Sequence, residues 1–70
     1  MTPEELVKIL NTKTAHSWSM RKKKMELVKF EIKATKNYVS RTFIVHYEDL
    51  EKCPEVLIEG LSQKAKEMLA

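Results

Sequence analysis

The chain has 70 residues, 43% of them apolar, with 13 Lys and Arg against 10 Asp and Glu for a formal net charge of +3. A chain this short hides only about 60% of its unfolded surface on folding, which argues for one domain over residues 1–70 and against a large enclosed active site. One cysteine, Cys53, excludes an intramolecular disulfide and fits a reducing, cytoplasmic setting; with His16 and His46 it falls short of a four-ligand zinc cage, and no apolar run exceeds three residues where a bilayer span needs about 20. The opening residues also lack the apolar stretch of a secretory signal.

Thr2-Pro3-Glu4-Glu5 reads as a helix start: Thr2 accepts from a first-turn amide, Pro3 suits the first helical position and Glu5 completes a capping box. Leu6, Ile9 and Leu10 line one face, and the turn-prone Asn11-Thr12-Lys13-Thr14 predicts an end near Asn11. So short a helix must dock its apolar stripe to persist. From His16 to Arg21, Trp18 and Met20 alternate with Ser17 and Ser19, a short strand pattern. Glu26 to Thr35 alternates more cleanly, with Val28, Phe30, Ile32 and Ala34 on one face and Leu27, Lys29, Glu31 and Lys33 on the other. Tyr38 to Tyr47 repeats the period with Val39, Phe43, Val45 and Tyr47. A tight turn at Lys36-Asn37 then sets Ala34 opposite Val39, Ile32 opposite Arg41, Phe30 opposite Phe43 and Val28 opposite Val45.

Beyond Tyr47 the period becomes helical, with Glu48 and Asp49 at the start and Leu50, Cys53, Leu57 and Leu61 in line. Pro54 either opens a second helix, leaving 48–53 as a short turn, or kinks a single one; Gly60 either ends that helix or weakens its interior. Residues 62–70 are either a docked helix or a tail. The expected fold is a small α+β domain of α-β-β-β-α order, a three-stranded antiparallel sheet with helices packed on one face and the other face free.

The charge is unevenly placed. Residues 13–41 hold nine Lys and Arg against Glu26 and Glu31, a net +7, while residues 1–12 carry −1 and residues 42–70 carry −3. Like charges confined to one block repel, and a polyanion is the usual compensation. Arg21-Lys22-Lys23-Lys24 lies at a strand-to-strand turn, where clustered cations hold backbone phosphates without reading sequence. Lys29, Lys33 and Lys36 continue the charge along the free sheet face, and Arg41, placed by alternation among core positions, needs only a strand-end location to bring its head to a phosphate. Trp18 is either core or a stacking platform for an unpaired base. The single Gly leaves no phosphate-binding glycine loop, His46 lacks a nucleophile partner and acidic Glu51 and Glu55 flank Cys53, expected to be a small buried side chain. A binding protein rather than an enzyme is expected, with no cofactor, metal or small-molecule substrate.

Two stretches carry a resemblance. Lys13-Thr-Ala-His-Ser-Trp-Ser-Met-Arg-Lys-Lys23 and Val28-Lys-Phe-Glu-Ile-Lys-Ala-Thr-Lys36, with the opening Glu4-Glu5-Leu6, the Gly60-Leu61 pair and the total length, resemble the eukaryotic-type large-subunit ribosomal protein family numbered thirty-eight. The resemblance implies a structural constituent of the large ribosomal subunit, cytoplasmic, bound to ribosomal RNA with neighbouring ribosomal proteins as further partners. Lys13, Ser17, Arg21, Lys22, Lys33 and Lys36 match family positions of the same or similar chemistry and become RNA-contact candidates; Lys23, Lys24 and Arg41 join them on charge. The chain departs from the family at His16, where the family has Lys, between Asn37 and Arg41, where two residues are added, and at Pro54 and Ile58-Glu59. Two other readings stand beside it: a free-standing RNA or DNA binder, since double-stranded RNA domains share the α-β-β-β-α order, and a phage-type protein-interaction module using Met25, Leu27 and Ile44.

Overall fold

The computed structural model describes residues 1–69; Ala70, the last residue of the 62–70 segment, lies outside the described residues. The elements in chain order are α1 (Pro3–Lys13), β1 (Ser17–Arg21), β2 (Lys29–Lys36), β3 (Val39–His46), α2 (Tyr47–Lys52) and α3 (Pro54–Met68). The strands form one antiparallel sheet in the order β1-β2-β3, with β2 central. The domain is thus α+β, with helices against one face of the sheet.

Thr2 caps α1: its hydroxyl accepts from the Glu5 N–H at 3.1 Å and donates to the Glu5 carboxylate at 3.2 Å, so Glu5 closes on the Thr2 hydroxyl rather than on its backbone N–H. The helix runs on to Lys13, past the expected stop at Asn11. In its last turns the Thr12 and Thr14 hydroxyls donate back to the Lys8 and Leu10 carbonyls at 2.9 and 2.7 Å, and the Thr14 N–H closes on the Leu10 carbonyl at 3.0 Å. Leu6 and Leu10, four residues apart, are fully buried on its inner face.

Phe30, Ile32 and Ala34 of β2 are buried, as are Trp18 of β1 and Val45 of β3, while Lys29 and Lys33 alternate outward. The faces match the alternation, but the β2–β3 register differs from the expected one by two residues: Ala34 faces Arg41, Ile32 faces Phe43 and Phe30 faces Val45. A shift of two leaves every side chain on its own face, so alternation cannot detect it. The turn decides. Its central residues are Asn37 and Tyr38, both in the left-handed region with φ of 52° and 67°, as a two-residue hairpin loop with the twist of its strands requires. The ladder then closes at Lys36 opposite Val39, and the Thr35 and Ser40 hydroxyls bond at 2.9 Å across it. Val28, expected inward, precedes β2 and is exposed.

Pro54 takes the first position of α3, where its missing N–H costs nothing. The preceding segment is the short helix α2 rather than a plain turn; it buries Leu50 and is tied to the strand entrance by the Tyr47 N–H donating to the Val28 carbonyl at 2.9 Å. Cys53, expected buried, is only half-buried at the joint. Gly60 lies inside α3, and the helix docks Ile58, Leu61, Ala65 and, just past its end, Leu69 into the core with Leu6 and Leu10.

Candidate nucleic-acid interface

The open face of the sheet is built by the outward positions of the three strands. Ser17, Ser19 and Arg21 of β1 pair with Thr35, Lys33 and Glu31 of β2, which pair in turn with Ser40, Thr42 and Ile44 of β3. Five hydroxyls thus surround Lys33, the central cation, and such donors suit phosphate and sugar oxygens. A shallow hollow of about 330 Å³ on this face is lined by Ser19, Arg21, Glu31, Lys33 and Thr42 among others.

The basic turn joins β1 to β2 along one end of this face. A backbone bond from the Glu26 N–H to the Lys23 carbonyl, 3.0 Å, shapes it. Arg21, Lys22, Lys23 and Lys24 are all exposed, as is Lys29 where β2 begins. Lys22 is the one engaged: its ammonium meets the Glu4 carboxylate of α1 at 2.8 Å. That hydrogen bond lowers the Glu4 pKa and, reciprocally, raises that of Lys22. Among the described residues the other ion pairs are Lys13 with Glu59 at 3.1 Å and Lys52 with Glu48 at 2.7 Å. Among the described residues Arg21, Lys23, Lys24 and Lys29 therefore stand without a carboxylate at ion-pair distance.

The remaining predicted residues divide between two places. Lys13, in the last turn of α1, and Lys36, at the end of β2, line a separate cleft of about 350 Å³ with His16, Glu59 and Lys66, at the opposite end of the sheet from the turn. Arg41 lies on the helix side of β3, opposite buried Ala34, yet its position on an outer strand leaves it exposed, with Nη1 donating to the Ser40 carbonyl at 3.1 Å. The fold thus gathers Arg21, Lys23, Lys24 and Lys33 on one surface and places Lys13, Lys36 and Arg41 apart from it.

Trp18 belongs to the core at 4% exposure, its indole N–H donating to the Thr14 hydroxyl at 2.7 Å and its ring 6.2 Å from that of Phe43. The fully exposed aromatic is instead Tyr38 at the β2–β3 turn. Sequence reasoning passed over it and over Lys66. The alternation puts Tyr38 at the start of β3, and only the two-residue turn at Asn37-Tyr38 exposes it; Lys66 sits 30 residues from Lys36, and only the docking of α3 unites them.

Met25 and Leu27 are almost wholly exposed on the β1–β2 connection and Ile44 is about half exposed on the sheet. Along the outer side of β3, a groove of about 580 Å³ runs past Phe43, Val56, Leu57 and Gly60. Among the described residues no three His, Cys, Asp or Glu side chains gather as metal ligands, and no helix is long and apolar enough to cross a membrane. Comparison with protein-family models, with curated proteins and with solved structures finds no match to this chain.

Proposed function

We propose that this domain binds the phosphate backbone of RNA through the β1–β2 turn and the adjoining open face of the sheet, as a constituent of the large ribosomal subunit. The observation that carries the reading is the set Arg21, Lys23, Lys24 and Lys29, exposed on one end of the sheet with no carboxylate at ion-pair distance among the described residues. Exposed cations held together by a fold repel one another, and a polyanion relieves that repulsion while releasing its own counterions. Lys33 and the Ser17, Ser19, Thr35, Ser40 and Thr42 hydroxyls extend the surface with further donors. The role is binding rather than catalysis, and the ribosomal assignment rests on the two resembling stretches of sequence.

Sedimentation of the endogenous protein on a gradient, with and without RNase, tests it. Migration with large subunits, lost on RNase treatment and reduced when Arg21, Lys23 and Lys24 are replaced by Gln, supports the whole reading. Binding to naked RNA without migration on subunits removes the ribosomal part and leaves a free-standing RNA binder. Capture by a protein partner that survives high salt and nuclease contradicts the reading altogether.

A further inference from the structure

We infer that the cleft between the end of α1 and α3 is a second phosphate site, and that its phosphate comes from the same RNA backbone; the inference rests on the RNA-binding reading and deepens it. The cleft has a volume of about 350 Å³. It lies at the other end of the sheet from the basic turn: Lys29 opens β2 and Lys36 closes it, and seven residues of strand span roughly 23 Å. The two sites therefore lie about one strand length apart, the cleft on the helix side of the sheet.

Three elements bring lysines to the cleft: Lys13 from α1, Lys36 from β2 and Lys66 from α3. One carboxylate, Glu59, accompanies them and is engaged by Lys13 at 3.1 Å. Lys36 and Lys66 have no carboxylate at ion-pair distance among the described residues. A concave site with this surplus concentrates anions, and an ammonium serves a phosphate well as a point charge.

The second observation is independent of charge. His16 lines the same cleft, and both of its ring nitrogens, Nδ1 and Nε2, are shielded from solvent with no hydrogen-bond partner among the described residues. An imidazole always has at least one N–H to donate, and leaving it buried and unpaired is costly. The nearby hydroxyls do not engage it: Thr14 Oγ1 donates to the Leu10 carbonyl and accepts from the Trp18 indole N–H, each at 2.7 Å, and Ser62 Oγ donates to the Ile58 carbonyl at 2.8 Å without meeting either ring nitrogen. A phosphate oxygen between Lys36 and Lys66 accepts from the imidazole once the ring turns, and so satisfies the orphaned donor and the two unpaired cations together.

The test titrates the full chain, observed by amide and imidazole NMR, first with inorganic phosphate and then with a single-stranded oligoribonucleotide. Saturable phosphate shifts at residues 14–16, Lys36 and 62–66, abolished in the Lys36→Gln, Lys66→Gln double variant and kept in Lys23→Gln, Lys24→Gln, are expected. The same Lys36, Lys66 variant should bind the oligonucleotide about 10-fold more weakly, with the salt slope shallower by about 1.4 for two lost contacts. Absence of saturable phosphate shifts in the cleft overturns the site, and if the oligonucleotide still binds through Lys23 and Lys24 the function reading survives that result. Phosphate binding in the cleft with oligonucleotide affinity unaffected by the double variant overturns RNA as the source and leaves a site for a free phosphate. His16→Gln, which removes the imidazole and leaves all three lysines, should weaken phosphate binding with the fold intact by the same spectra; unchanged affinity overturns the role given to His16.

Discussion

The side-chain amide of Asn11 pairs with both backbone polar groups of Trp18. Its N–H donates to the Trp18 carbonyl at 3.1 Å, and its carbonyl accepts from the Trp18 N–H at 2.7 Å. β1 is an outer strand, and outer strands present unpaired backbone groups that invite foreign chains. One side chain from α1 thus stands in for a fourth strand. Asn11→Leu should destabilise the domain by about 1–2 kcal/mol, because both groups lose their partner while the surrounding apolar packing stays. Urea unfolding followed by Trp18 fluorescence measures this, and a loss below about 0.5 kcal/mol would mean that water replaces the amide without penalty.

Tyr38 holds a φ of 67° with its side chain fully exposed. The left-handed region costs a residue with a Cβ about 1–2 kcal/mol, and here no packing offsets it. Tyr38→Gly converts the turn to Asn-Gly, the preferred pair for this hairpin, and should stabilise the domain by about 1 kcal/mol. Thermal unfolding should shift upward by several degrees, and a lower midpoint would show that the tyrosine makes a stabilising contact.

Gly60 lies in the interior of α3 with open space where a Cβ would stand. Alanine there removes the helix penalty of glycine without a clash, so Gly60→Ala should add about 1 kcal/mol, or about 4–8 °C in midpoint for a domain of this size. Calorimetry of the variant decides it; destabilisation would require the groove beside Gly60 to be tighter than it is.

The ion pair of Glu4 with Lys22 couples α1 to the basic turn. Glu4 titrates below its ordinary 4.5 chiefly because Lys22 bonds to it, so the stability it lends is fully present above 4.5 and lost as pH falls through the lowered folded value. Lys22 titrates above its ordinary 10.5 chiefly because Glu4 bonds to it, so its share is fully present below 10.5 and lost as pH rises through the raised value. Carboxyl NMR titration of Lys22→Gln should therefore find the Glu4 pKa moved upward, and an unmoved value would refute the pairing. Glu4→Gln frees the Lys22 ammonium for phosphate and should tighten RNA binding roughly two- to five-fold at low salt, an effect that screening removes at high salt.

How much of this could be read from the residues differs from place to place. The inward Phe30, Ile32 and Ala34 and the Thr2-Pro3 helix start are local patterns with one physical solution, and the structure has them. The pairing of Ile32 with Phe43 rather than Arg41 was not legible, since both registers keep the faces and only the left-handed backbone at Asn37 and Tyr38 separates them. Pro54 allowed two helical arrangements and took the one in which its ring opens a helix. At the candidate site, the clustering of Arg21 to Lys24 is visible in the chain itself. The neutralisation of Lys22 by Glu4, 18 residues away, and of Lys13 by Glu59, 46 residues away, depends on packing that no local pattern encodes.

The central claim is that the β1–β2 turn holds a nucleic-acid backbone, and salt-dependent binding tests it most directly. Affinity of the full chain for single-stranded RNA should fall with salt along a log-log slope of at least about −3, from four phosphate contacts at Arg21, Lys23, Lys24 and Lys29, steepening to about −4 when Lys36 and Lys66 also engage, and the Lys23→Gln, Lys24→Gln variant should flatten that slope by about 1.4. No binding at low salt, or binding whose slope is the same in the variant, would contradict the account.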